Sequence, residues 1–195
     1  MRETIRLNKL LGSDCGQCSS CCRTIMVEVT ASDLERLTRH TNIPADRLVK
    51  LYSKAEIDSE DESDWVHLSY GKRALGLKKR RNGDCIFLKD DKSCAAYSAR
   101  PMTCRIFPVC VVFDEDDDMV DLELSDVIRD RTIACRRTRG NGRSFSTFMS
   151  TAGQLKDEGL IYRKKIDQWN SHDGTGVKND FLNFLGFKTA GNGSK

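Results

Sequence analysis

The sequence predicts a small α+β, cysteine-rich, metal-stapled domain with short antiparallel strands, an N-terminal helix pair and a C-terminal helix. Three observations predict it. Strand-length apolar runs are separated by turn residues. Helical periodicity is confined to residues near 30–54 and 144–170. Finally, nine cysteines stand in a 195-residue chain that is only 38% hydrophobic and 31% charged. Apolar side chains are scarce for that length. A modest core of this kind leans on a staple, and thiols are the obvious supply.

The elements follow in order. TIMVEV, after the first cysteines, contains β-branched residues and reads as a short strand. TASDLERLTRH reads as a helix: Thr30 or Ser32 caps it, Asp33 suits its positive end, and Leu34 and Leu37 form its apolar stripe. Pro44 suits the first turn of a second helix, PADRLVKLYSK, with Leu48, Leu51 and Tyr52 on one side. DSEDESD has no apolar periodicity and reads as a loop. WVHLSY and RALGLKKR read as strands, and RNGDCIFL places an Asn-Gly turn before another. VCVVF and MVDLEL flank DEDDD, which predicts a hairpin with its tip in water. A long helix covers much of 144–170, begun by Ser144 and carrying Phe145, Phe148, Met149, Ala152, Tyr162, Ile166 and Trp169. Gly153 and Gly159 weaken it. SHDGTG ends it, and FLNFLGF forms a last short helix. The expected organisation is therefore a cysteine-cluster metal-binding domain over 1–143, a helical extension packed on it over 144–187, and a disordered tail over 188–195.

CGQCSSCC places Cys15, Cys18, Cys21 and Cys22 within eight positions. Such neighbours do not pair sensibly, because bridged Cα atoms stand several ångströms apart with facing Cβ vectors. The start, MRETIRLNKLLGSDCG, lacks an apolar stretch long enough for a signal peptide, and VCVVF is the longest purely apolar run. A soluble, cytoplasmic protein is expected, without a membrane partner. In that reducing compartment dense cysteines more often mark metal or redox chemistry than a disulfide framework.

Two intervening residues let both sulfurs of Cys-x-x-Cys reach one ion or cluster. Here the interval repeats through Cys15, Cys18 and Cys21, more than an ordinary zinc knuckle holds. Cys85, Cys94, Cys104 and Cys110 follow within 26 residues, and then Cys135. All nine are candidate metal ligands, with Cys22 and Cys135 the candidate bystanders. His40, His67 and His172 stand at no zinc-ligand spacing from a cysteine, so the expected shell is all sulfur. Four thiolates around a divalent centre leave about two negative charges. Arg23, Arg100, Arg105, Arg136 and Arg137 lie close in sequence to compensate them, or are solvated surface arginines. Arg100 and Arg105 are the candidate cofactor-binding pair.

The order of these motifs resembles the YkgJ-type cysteine-cluster family, the zinc- or iron-chelating CxxCxxCC domain. Carrying the likeness are Cys15, Cys18, Cys21 and Cys22; then Gly83, Cys85, Phe87 and Leu88; then Cys94, Tyr97, Arg100, Pro101, Cys104, Arg105, Phe107 and Pro108. It spans roughly residues 12–145, and Cys135 with Gly140 and Gly142 matches the family's later cysteine before a glycine-rich turn. One departure is Cys135-Arg136-Arg137 where Cys-Pro-Gly-like residues are usual. The resemblance implies bound zinc or an iron-sulfur cluster.

Three functional classes stand open. The first is a metal-binding protein holding an iron-sulfur cluster, 4Fe-4S favoured, or zinc, with a possible redox role. The second is a cluster-dependent enzyme, an oxidoreductase or methyl-transfer component; no Gly-x-Gly-x-x-Gly follows a strand and there is no P-loop to make it self-contained. The third is RNA binding through Lys72 to Arg81 and Arg129 to Arg143. A net charge of +3 and the lack of interleaved aromatics argue against a nucleic-acid partner.

Overall fold

The computed structural model describes residues 14–57, 62–135, 137–138, 145–172 and 175–189. Ser144, Arg136, Gly140, Gly142, residues 58–61 of the acidic connector and 190–195 of the expected tail lie outside the described residues. The fold is a small α+β domain with short antiparallel two-stranded sheets and a long C-terminal helix.

Strand β1 (Asp14–Cys15) leads into helix α1 (Ser20–Thr24). TIMVEV is extended but joins a sheet only through the Glu28–Gly76 bridge and bonds from Val29 N to Leu75 O and from Leu77 N to Val27 O. Helix α2 (Ala31–Thr41) starts as expected, with Thr30 the cap. The Thr30 hydroxyl accepts from Asp33 N at 3.1 Å, while the Asp33 carboxylate accepts from Thr30 N at 3.1 Å, a reciprocal capping box.

The expected second helix is corrected. Helix α3 (Ala45–Leu48) is a single turn, and the chain continues as strand β2 (Val49–Tyr52). Leu48, Val49, Leu51 and Tyr52 satisfy both the helical and the strand period, and pairing decided between them. β2 lies antiparallel to strand β3 (Ala74–Leu77), with Val49 opposite Leu77 and Tyr52 opposite Ala74. Met26 and Tyr52 pack close over Gly76, where a Cβ would stand 2.5 Å from Met26 Sδ and 3.0 Å from the Tyr52 ring. WVHLSY is likewise no full strand, being joined to Arg73 by one bridge at Val66.

Two small hairpin loops follow. In the first, Arg80 N donates to Asp84 O and Gly83 N to Arg80 O, with Gly83 at φ +86°, and the Lys79–Cys85 bridge closes it. In the second, Lys89 N donates to Ser93 O and Lys92 N to Lys89 O, with Lys92 at φ +67°, and the Leu88–Cys94 bridge closes it. Each is a three-residue loop whose last residue is left-handed.

A 3-10 turn (Tyr97–Ala99) precedes helix α4 (Met102–Ile106), which pattern reading missed. Strands β4 (Val109–Phe113) and β5 (Met119–Leu124) form the expected hairpin. Its tip is not wholly in water, since Asp117 pairs with Arg163 at 2.8 Å and Asp118 with Lys156 at 3.2 Å. Helix α5 (Asp126–Arg129) and strand β6 (Arg137–Thr138) follow, β6 pairing with β1. Helix α6 (Phe145–His172) runs unbroken through Gly153 and Gly159. Helix α7 (Lys178–Phe184) closes the chain as expected, and Thr189 N beyond it donates to Asn183 Oδ1.

The main core joins α2, α3, β2 and β3 to the second half of α6 and to α7, with Leu34, Leu37, Leu48, Ile166, Phe181 and Leu182 fully buried. Trp169 Nε1 donates to His67 O at 2.7 Å, fastening α6 across the Trp65–Leu68 segment. A smaller cluster, Ile106, Val109, Phe148 and Ala152, packs the first half of α6 against α4 and β4. Among the described residues, no helix is long and apolar enough to cross a membrane.

Candidate metal centre

Five chain segments bring cysteines to one cavity. Gln17 at φ +49° and Ser19 at φ +63° coil the Cys15–Cys18 stretch back on itself. Ser19 is buried, and its hydroxyl donates to Cys18 O at 2.6 Å. α1 then carries Cys21 and Cys22. Cys85 N donates to Cys22 O at 2.8 Å, which docks the first hairpin loop on α1. The second hairpin loop carries Cys94, α4 carries Cys104, and the β1–β6 pairing brings Cys135 beside the first segment. Cys18 Sγ reaches Ala134 O at 3.7 Å from the same side.

Cys15, Cys18, Cys21, Cys22, Cys85, Cys94, Cys104 and Cys135 all line this cavity of about 220 Å³. The rest of its wall is mainly apolar, with Ile25, Val27, Leu77, Phe87 and Phe107 among its members. All nine cysteines are free of disulfides. Among the described residues, no three Cys, His, Asp or Glu side chains are gathered as a ligand set for a single ion; the thiols surround a space.

Cys110 does not join them. It is exposed on β4, where Val109 turns inward and strand alternation turns Cys110 out, against Ser125, Glu123 and Arg129. The α6 fastening engages only the His67 backbone, His172 Nδ1 lies 3.0 Å from Gln168 O, and no histidine lines the cavity.

The two arginines separate. Arg100 lines the cavity, and its charge favours the thiolates of Cys21, Cys94 and Cys104. Its guanidinium lies 3.9 Å from the centre of the Tyr97 ring, which fixes its direction. Arg105 instead donates to Arg100 O and Ser98 O, both at 2.8 Å, binding up the loop behind the site. Adjacent helical residues diverge by about 100°, so Arg105 cannot share the direction of Cys104. Sequence reading passed over Lys79, whose charge reaches Cys85 and Cys22, and Lys92, which lines the cavity. For Lys79 the basic run 72–81 was the only signal, and Lys92 had none.

The thiols are not equivalent. A hydrogen bond from the Cys22 thiol holds Cys21 down to about 7, and the same bond, with burial, pushes Cys22 up. Burial pushes Cys85, Cys94 and Cys104 up, Cys104 most. Gathered thiols whose thiolate forms would repel one another, with only a few facing cations, are a donor set short of positive charge. A soft metal centre supplies it, and the donors present fit zinc or an iron-sulfur cluster.

Fold and cavity together define a small thiol-lined metal-chelating domain. The family comparison agrees: the model of the CxxCxxCC family, a "Putative zinc- or iron-chelating domain", matches residues 14–140, and the chain belongs to that family. No curated protein and no solved structure matches it.

Proposed function

We propose that the cavity holds an iron-sulfur cluster, with a four-iron cubane favoured, and that the protein's role is redox. The observation that carries this reading is the gathering of eight thiols from five segments around one space. A space that separates its thiols suits a multi-atom cluster, ligated at its corners, better than one ion ligated at a point.

We assign Cys21, Cys85, Cys94 and Cys104 to it: each lies within electrostatic reach of at least two of the others, and Cys22, within the same reach, is set aside because it directly adjoins Cys21. Cys22 serves as a thiol donor to Cys21. Cys15, Cys18 and Cys135 remain as further sulfur on the β1–β6 side. When bound, a cluster supplies one-electron transfer and a cross-link between segments. Arg100 compensates its charge, held by the Tyr97 ring. The apolar wall keeps water from the sulfurs and thereby shifts the potential.

Zinc is the second reading, favoured by the same count: eight thiols are the complement of two all-cysteine tetrahedral sites. Purification without oxygen separates the two. A brown protein with broad visible absorption and matching iron and acid-labile sulfide supports the cluster. Colourless protein with stoichiometric zinc overturns it in favour of the second reading, and metal-free protein overturns both.

A further inference from the structure

Cys104 sits at the middle of a helix with little stability of its own. α4 has five residues, and a helix that short does not persist in water. Its placement is therefore imposed at its two ends. At the C-terminal end, Ile106 packs with Phe148 and Ala152 of α6. At the N-terminal end, Met102 N donates to Asp33 Oδ1 at 2.9 Å.

Asp33 is 1% exposed and serves two helices at once, since its carboxylate also closes the capping box of α2. A carboxylate so buried requires a countercharge. Arg36, one turn along α2, pairs with it and reaches on to Glu158 of α6 by two bonds, at 2.5 Å and 2.8 Å. Gln154, also on α6, donates to Glu158 Oε1 at 2.7 Å. Side-chain packing does not fill this junction. A cavity of about 390 Å³ is lined by Thr30, Asp33 and Thr103 on one side and by Lys156 and Gly159 of α6 on the other. Beside that cavity, the chain Asp33–Arg36–Glu158 joins α2 to α6.

We propose that Asp33, Arg36 and Glu158 are positioning residues through which α6 fixes the placement of Cys104, and so the hold on the metal. Glu158 lies beyond residues 14–140, so the relay adds this chain's own C-terminal helix to the shared domain. The proposal rests on the reading of Cys104 as a ligand.

The test measures metal release from the full-length, metal-loaded protein to a chromogenic chelator, bathophenanthroline for iron or pyridylazoresorcinol for zinc, beside the melting temperature. Partners of this indirect kind change metal affinity by about 10–100-fold. Asp33→Ala and Glu158→Ala should each release metal about 10-fold faster than the unmodified chain. Asp33→Asn, which keeps an acceptor for Met102 N, should restore slow release. Ile166→Val, which touches the main core alone, should lower the melting temperature without faster release. If Asp33→Ala does not fold, Glu158→Ala and Asp33→Asn decide. Release at the unmodified rate in Glu158→Ala, with Cys104→Ser losing metal, overturns the relay alone. Faster release in Ile166→Val, in step with its melting temperature, also overturns it, because the effect is then general softening. Metal retained in Cys104→Ser overturns the ligand reading, and the relay with it.

Discussion

The two sides of this molecule are held by different means. Around Leu34, Leu48, Ile166 and Phe181, four helices and the β2–β3 pair bury apolar side chains completely. Such burial contributes roughly 25 cal/mol per Å² and does not depend on any ligand. Around Cys21, Cys85, Cys94 and Cys104 such burial lies on one flank only, where Phe87, Ala96 and Ala99 join the main core and Cys85 and Cys94 pack against it. One-turn helices, isolated bridges and three-residue loops meet at thiols whose thiolate forms would repel one another. The contrast teaches where, on the proposed reading, a metal would contribute to folding: on the sulfur side rather than the apolar one.

Removing the metal should expose that contrast most strongly. Structural metal sites contribute on the order of 10 kcal/mol to folding. With chelator, amide exchange should accelerate by orders of magnitude at Cys85, Ala95 and Cys104, while the far-ultraviolet helical signal and the slow amides of α6 near Ile166 persist. Loss of both sides together would merge the two regions into one cooperative unit.

Single thiols sharpen the boundary. Cys104→Ser should lose most of the bound metal, and Cys110→Ser should keep it, as read by elemental analysis per chain. Equal losses would place Cys110 in the site despite its outward position on β4.

A core substitution tests the converse. Ile166→Ala, at a fully buried position, should cost about 2–5 kcal/mol in urea unfolding. Metal content should stay at the level of the unmodified chain.

The smallest effect concerns Lys92, which occupies the left-handed position that Gly83 fills in the neighbouring loop. Lys92→Gly should stabilise the protein by about 0.5–1 kcal/mol, read as a raised urea midpoint. Destabilisation would mean that the lysine charge beside the cavity outweighs the backbone strain.

The same division governs how much was legible in the chain. α2, the β4–β5 hairpin and α6 follow from local periodicity and capping, and each stands where its pattern puts it. β2 was legible only as an apolar segment, because Leu48 to Tyr52 fits both periods and the partner strand β3 chose. α4 carries no helical pattern at all; Pro101, Asp33 and the α6 residues Phe148 and Ala152, against which Ile106 packs, shape it from outside. For the site, the cysteine spacings named all eight thiols that line the cavity. Spacing could not separate Cys110 from them or Arg100 from Arg105, since each choice depends on which way a strand or helix turns a side chain. Asp33 read only as a favourable charge at a helix start, because its bond to Met102 spans 69 residues.

Extended X-ray absorption at the metal edge of protein purified without oxygen bears most directly on the central claim, that cysteines from separate segments enclose one inorganic centre. An all-sulfur first shell with metal neighbours beyond it, lost in Cys104→Ser and kept in Cys110→Ser, is the predicted result. A shell of nitrogen or oxygen donors, or a spectrum indifferent to Cys104, would contradict it.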